Sequence, residues 1–313
     1  MYETVIYEGG VYKADEMREL VEDLGGFILQ EHKMQLEVHM ILAVPIEDLD
    51  VVEEKAEELL GEIKRVPLAG TEIAVVGMSL ARHHMPHPVC DIAEYLRRHG
   101  ARTNVIGLAR GYGRELAQLR PREKRLLEEH DLVIFVVGNF RDCIERYKLP
   151  LIRRIEHVPV VVVGGPEEID ADDVTYIGGV GRKPYRFRKG REITKLDEIV
   201  STVSQLIEER RKELAEDPPV VPPMLVKDRL LRELPLHDRD VVPQLDGVRV
   251  HRPYRNWADR LAQVPIHDQP LQALARIQPS EIRGHTLIKI KPRSELEARD
   301  HQPNEEARNE GEN

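Results

Sequence analysis

From Thr71 onward the chain repeats one pattern, a short unbroken apolar run followed by a stretch with helical spacing. The runs are Ile73-Ala-Val-Val76, Val105-Ile106, Leu132-Val-Ile-Phe-Val-Val137 and Val158-Pro-Val-Val-Val-Val163, and the helical stretches fall at 89–98, 121–130 and 142–151. A strand with one wet face alternates apolar and polar side chains, so an unbroken run marks a strand covered on both faces. Strand, helix, strand, helix therefore predicts α/β architecture with a central doubly wound, mostly parallel sheet. In such sheets ligands lie beyond the carboxyl ends of the strands, on the loops that lead into the helices.

On either side the pattern changes. Residues 1–68 read as a small N-terminal α+β module, with a strand-like Thr4-Val-Ile-Tyr7, helices at 14–24 and 46–60, and paired strands at 27–30 and 36–44. Gly25-Gly26 stops the first helix, as glycine does just past a helix end. The central domain takes 69–216 and ends in a charged helix at 195–214. Residues 217–223, Asp217-Pro-Pro-Val-Val-Pro-Pro223, read as a stiff linker because paired prolines favour extended chain. Residues 224–293 carry the single tryptophan, Trp257, and read as an extended C-terminal arm or a small partner-binding domain; residues 294–313 are polar and charged and read as a disordered tail.

Composition excludes several classes. The 313 residues carry a net charge of −10, which argues against a general nucleic-acid role. No apolar run approaches the roughly 18 residues that a membrane span needs, and the first residues lack the basic and apolar regions of a signal peptide. A cytoplasmic location is expected. Two cysteines, Cys90 and Cys143, make neither a disulfide scaffold nor a self-contained four-cysteine zinc site, and a reducing cytosol would keep them as thiols or ligands.

Both cysteines occupy telling positions. Ser79-Leu-Ala-Arg-His-His-Met-Pro-His-Pro-Val-Cys-Asp91 packs His83, His84 and His87 into one loop that ends at Cys90. Pro88 suits a first helical position, which puts Cys90 in the first turn of the next helix. There the dipole and the free backbone N–H groups favour a thiolate. Cys143 repeats the arrangement after the run 132–137, through Gly138-Asn139-Phe140-Arg141-Asp142. Two thiols are thus expected on one edge of one sheet. Cys with His is a ligand set for iron–sulfur, zinc or nickel chemistry. The competing readings are a Cys–His nucleophile pair, for which no oxyanion hole is visible, and cysteines that are merely small buried apolar residues.

The glycine-rich stretches Gly111-Tyr-Gly113, Gly164-Gly165-Pro166 and Gly178-Gly179-Val180-Gly181 do not complete a dinucleotide or ATP-binding motif, and tight turns explain them. The basic segment Arg182-Lys-Pro-Tyr-Arg-Phe-Arg-Lys-Gly-Arg191 reads as an exposed hairpin or an anion grip.

Several segments together resemble methanogenesis marker protein 7 of methane-forming archaea: Tyr7-Glu-Gly-Gly-Val-Tyr-Lys13, Ala69-Gly-Thr-Glu-Ile-Ala-Val75, Ala81-Arg-His-His84 with Pro88-Val-Cys-Asp-Ile-Ala-Glu-Tyr-Leu96, and Gly138-Asn-Phe-Arg-Asp-Cys-Ile-Glu-Arg146. The central region also resembles methyl-coenzyme M reductase operon protein C, through Arg82, His84, Pro88, Val89, Cys90, Asp91 and Ile92 and through Gly138-Asn139. That family lacks a cysteine matching Cys143. The resemblance implies an accessory subunit in the ATP-dependent activation of methyl-coenzyme M reductase, not a stand-alone enzyme. Its implied cofactor is a complex iron–sulfur cluster resembling a nitrogenase-cofactor precursor, shared with another chain and relaying electrons to the enzyme's nickel tetrapyrrole. On this resemblance Cys90, Cys143, His84 and His87 would hold the metal, and Arg82, Asn139 and Arg141 would line the cofactor. The implied partners are operon protein C, methyl-coenzyme M reductase, an ATPase activation component and other methanogenesis marker proteins, with neither nucleic acid nor membrane among them. Two alternatives stand beside this: a cluster-free assembly scaffold and a Cys-dependent enzyme.

Overall fold

A computed structural model describes residues 2–33, 35–78, 87–111, 117–180 and 189–300. The chain divides into two compact units, Met1–Glu208 and Glu209–Asn313.

The first unit opens with β1 (Tyr2–Gly10), α1 (Ala14–Asp23), β2 (Phe27–Lys33), β3 (Glu37–Pro45), α2 (Leu49–Glu58) and β4 (Glu62–Arg65). The four strands form an antiparallel sheet in the order β2-β3-β1-β4, the split βαββαβ arrangement. Its cause is the alternation of Val38, Met40, Leu42 and Val44 on β3 and of Val5 and Tyr7 on β1. These side chains are buried with Met17 and Val21 of α1 and Val52 and Ala56 of α2. β4 did not stand out in the sequence, because a half-buried Ile63 is its single apolar residue.

Tyr7 is the largest side chain of this module to be fully buried, at 0 % exposure. Its ring lies against two glycines. A Cβ at Gly9 would stand 2.1 Å from Tyr7 Oη, and one at Gly61 would stand 2.4 Å from its Cε2 and 2.9 Å from the Glu8 carbonyl oxygen. The Tyr-Glu-Gly-Gly segment is thus a packing device.

The second layer of this unit comprises β5 (Glu72–Gly77), α3 (His87–Arg98), β6 (Arg102–Gly107), α4 (Pro121–Glu128), β7 (Leu132–Gly138), α5 (Arg141–Cys143), a π-helical turn (Ile144–Lys148), α6 (Leu149–Ile152), β8 (Val160–Gly164) and β9 (Thr175–Ile177). The five strands are all parallel, in the order β6-β5-β7-β8-β9. The expected α/β class with a doubly wound parallel sheet is therefore present. Every residue of β5, and all of β7 but its last, is buried, which is why these strands read as unbroken apolar runs. Ala74, Val76, Val133, Phe135 and Val162 form the core with Leu127 of α4, Ile144, and Leu149 of α6. At the edge, β9 is only three residues long and has no run to betray it.

From β5 the chain passes to β6 on one side, and from β7 to β8 on the other. Right-handed crossovers in opposite directions place the intervening helices on opposite faces. The reversal falls between β5 and β7, and in sheets of this kind the carboxyl ends at the reversal are where ligands bind.

Helix α7 (Lys189–Glu216) is longer than the 195–214 stretch expected, and the boundary between the units falls within it. Lys189, Gly190 and Arg191, read as part of a hairpin, begin this helix; residues 182–188 lie outside the described residues.

The second unit is a folded body, not an extended arm. It contains α8 (Pro223–Glu233), β10 (Val241–Gln244), β11 (Gly247–Pro253), α9 (Tyr254–Ala262), β12 (Pro265–Ile266), β13 (Gln269–Pro270), α10 (Leu271–Leu274), β14 (Ala275–Pro279), β15 (His285–Ile290) and α11 (Arg293–Asp300). An antiparallel sheet in the order β10-β11-β15-β14 buries Val248, Val250, Ile288 and Ile290 against Val226 and Leu230 of α8 and Leu261 of α9. The proline run is tied to the end of this sheet. The N–H of Val220 donates to the Lys291 carbonyl at 3.0 Å, and the Asp217 carboxylate accepts from the N–H and hydroxyl of Ser294. These bonds, with Leu296 packed on the core, order residues 293–300 as a helix where the sequence read as a tail.

Candidate functional site

The carboxyl edge of the parallel sheet is poor in side chains. β5, β6, β7 and β8 end at Gly77, Gly107, Gly138 and Gly164, and Gly178 directly follows β9. In register, Gly77 stands opposite Gly107 and Gly138 opposite Gly164. Gly138 adopts φ +89°, a conformation open to glycine at little cost. Its carbonyl accepts the N–H of Gly165 at 2.8 Å. A Cβ on Gly165 would fall 2.1 Å from Oδ1 of Asn139, so the Asn139 amide lies directly over that glycine. The glycines here hold the loops after β7 and β8 together.

Cys90 is the fourth residue of α3. Val89, Ile92, Ala93 and Leu96 are buried, and this apolar stripe fixes the rotation of the helix so that Cys90 and Asp91 are exposed. An exposed thiol in a first helical turn is not the small buried apolar cysteine of the competing reading. His87 opens the same helix. Arg82, His83 and His84 lie outside the described residues.

Cys143 is half-exposed and ends α5, on the connection that leaves β7. Cys90 and Cys143 therefore sit on the helices that follow β5 and β7, the two strands between which the strand order reverses. Phe140, just before α5, is 80 % exposed. Arg141 is exposed and donates from Nε to Oε1 of Glu145 at 2.7 Å, while the same oxygen accepts the N–H of Asp170 at 2.8 Å. These two donors, the Asp170 N–H foremost, hold the Glu145 carboxyl below its ordinary range. Arg141 thus braces the start of the helix against the connection after β8.

Beyond Cys143 the helix widens. Pro150 lacks an N–H for the carbonyl four residues earlier and would crowd it, and a π-helical turn over Ile144–Lys148 absorbs the misfit. A π-turn bonds each carbonyl to the N–H five residues on, so it turns residue 148 closer to the Cys143 side of the helix than an ordinary α-helix would. The half-buried Lys148 ammonium donates to the carbonyl of Val137, at the end of β7. A Cβ at Gly138 would lie 3.7 Å from Lys148 Nζ. Burial pushes the Lys148 pKa down, and the Cys143 side chain acts in the opposite sense. Lys148 was not a sequence-level candidate; Pro150, two residues on, was the available signal.

Among the described residues no three His, Cys, Asp or Glu side chains gather as a metal site, and no helix is long and apolar enough to cross a membrane. The described residues after β5 and β7 include two thiols, an amide and an ammonium, on the carboxyl side of the parallel sheet.

Fold and edge together define a doubly wound α/β protein with thiols on both sides of its switch point. The chain belongs to the methyl-coenzyme M reductase operon protein C family, whose model matches residues 2–264. It is 51 % identical over 302 residues to an uncharacterized protein of Methanocaldococcus jannaschii, covering 95 % of this chain and 96 % of that one. It is 31 % identical over 117 residues to methyl-coenzyme M reductase operon protein C of Methanococcus vannielii, and 27 % identical over 119 residues to methyl-coenzyme M reductase I operon protein C of Methanothermobacter marburgensis. These two matches take in about a third of this chain and 58 % and 59 % of the relatives. Among solved structures, glutamyl-tRNA reductase from Methanopyrus kandleri aligns over 74 % of this chain and 84 % of its own, at 12 % identity and a TM-score of 0.20, too small an overlap to indicate a common fold.

Proposed function

We propose that this chain is an accessory subunit in the reductive, ATP-dependent activation of methyl-coenzyme M reductase in methane-forming archaea. It would bind a complex iron–sulfur cluster shared with another chain. The observation that carries the reading is the placement of Cys90 and Cys143 on the two helices that flank the switch point, in a chain of the operon protein C family.

The donor set fits such a group. An ordinary four-iron cluster takes about four cysteine ligands, and the whole chain has two. A larger cluster with its own rigid core, or one completed by a partner, needs fewer. When bound, it would supply one-electron transfer toward the nickel tetrapyrrole of the reductase. Cys90 and Cys143 would be the thiolate ligands and His84 the preferred imidazole, with His87 beside it. Arg82 and the Asn139 amide would meet the cluster's outer sulfurs, and Arg141 would keep the Cys143 helix in place. Operon protein C, methyl-coenzyme M reductase, an ATPase component and other marker proteins are the proposed partners.

The test is anaerobic isolation of the tagged chain with its partners, followed by iron and sulfide analysis. Cys90→Ala and Cys143→Ala should each lower the iron content. Unchanged iron in both variants sinks the reading.

A cluster-free scaffold is the second reading, favoured by the cysteine-free C-terminal unit with its own core. Loss of partner binding on deletion of the residues after Pro223, with activation intact in both cysteine variants, would establish it instead.

A further inference from the structure

We infer that Lys148 is the positioned positive charge of the thiol site, compensating an anionic cluster bound at Cys143. This rests on the cluster reading above and adds a residue to it. Three features of the fold carry the inference. The π-turn over Ile144–Lys148 turns residue 148 toward the side of Cys143, five residues away, where an ordinary helix would carry it well round to the other side. The ammonium is anchored on the Val137 carbonyl, so its position is set by the central strand β7 and not by a free side chain on the surface. It adjoins Gly138, which has no side chain to cover it at the end of β7, and the connection that carries Cys143 starts from the same strand end.

A cluster ligated by thiolates and sulfides is anionic and becomes more so on reduction. Its potential is set in part by net charge and by hydrogen bonds to its sulfurs. A half-buried cation is screened far less than one in water, so its field persists at ordinary salt. An ammonium carries three donors, and the one bond given to Val137 does not exhaust them. Lys148 is thus a positioning residue. It favours the electron-rich state of the ligand without being a ligand itself.

The experiment compares the wild type, Lys148→Gln and Lys148→Arg as full-length tagged chains isolated anaerobically with their bound partners. Glutamine keeps a donor for Val137 and removes the charge, whereas arginine keeps both. Melting of the cluster-free chains serves as the control for folding. The readouts are iron and sulfide per chain and the midpoint potential from a titration followed by electron paramagnetic resonance. The expected result is a midpoint shifted to more negative potential in Lys148→Gln and restored in Lys148→Arg. Iron lost in Lys148→Gln but kept in Lys148→Arg, with melting unchanged, also supports the inference. Equal iron with an unmoved midpoint in Lys148→Gln overturns it and leaves the cluster reading standing, as does iron lost equally from both variants. A wild type without iron overturns the cluster reading, and the role of Lys148 with it.

Discussion

Tyr7→Phe should stabilise the N-terminal module. The Tyr7 hydroxyl is buried and has no hydrogen-bond partner among the described residues. It abuts the backbone at Gly9, where even a Cβ would not fit. Burying a hydroxyl without a partner costs about 1–3 kcal/mol. Removing the oxygen leaves a void of about 10 Å³, too small for water, which at ~24 cal/mol per Å³ costs about 0.2–0.3 kcal/mol. The difference predicts a net gain of about 1–2 kcal/mol. For a unit of this size, that raises the melting temperature by roughly 2–8 °C. Urea denaturation followed by far-ultraviolet circular dichroism measures the gain directly, and calorimetry measures the shift. A variant less stable than the wild type by more than ~0.5 kcal/mol would refute the reasoning, because it would mean that the hydroxyl is satisfied in the folded protein. The same substitution changes the response to alkali. Burial, and then the charge of Glu16, push the Tyr7 pKa above 10.0. The folded state therefore favours the neutral phenol, and its contribution is complete below pH 10 and lost as pH rises through the folded pKa. Tyr7→Phe should lose stability less steeply above pH 10.

Four further outcomes follow from the packing and the charges. Gly61→Ala should destabilise the same module by about 1–3 kcal/mol in urea melts, since its Cβ meets the Tyr7 ring and the Glu8 carbonyl and the backbone cannot give way. Tyr176, whose pKa is raised to about 12 by burial and then by Glu167, should give a second alkaline loss between pH 10 and 12 that Tyr176→Phe abolishes. In the C-terminal unit the nearly buried Asp240 accepts two bonds from Arg252, at 2.9 and 2.7 Å, and one from the His237 N–H; Asp240→Ala should cost about 3 kcal/mol by thermal unfolding. In the cluster-free chain, iodoacetamide should label the exposed Cys90 before the half-exposed Cys143, and mass spectrometry of timed samples reads the order.

The parallel sheet was legible because its inner strands β5, β7 and β8 are buried on both faces, and burial on both faces removes the polar residues that would break a run. The first-turn positions of Cys90 and Cys143 were legible for a related reason: Pro88 and Gly138-Asn139 are local punctuation, and punctuation acts on the chain beside it. Two of the four edge strands in the first unit's sheets were not. β4 and β9 contribute few apolar side chains and owe their existence to the neighbour that pairs with them. The ordered helix at 293–300 was hidden likewise, since Asp217 and Ser294 stand 77 residues apart and meet only when the sheet between them closes.

Local composition alone thus determined that this chain carries an α/β core with two thiols at the starts of helices. The order of the strands was decided by packing across the whole unit, and with it the fact that those thiols flank the reversal between β5 and β7. The place of the Lys148 charge at the end of β7 was decided the same way. Lys148 is one lysine among many in the sequence, and it acquires a position only when Pro150 forces the π-turn and the end of β7 supplies the carbonyl that holds it.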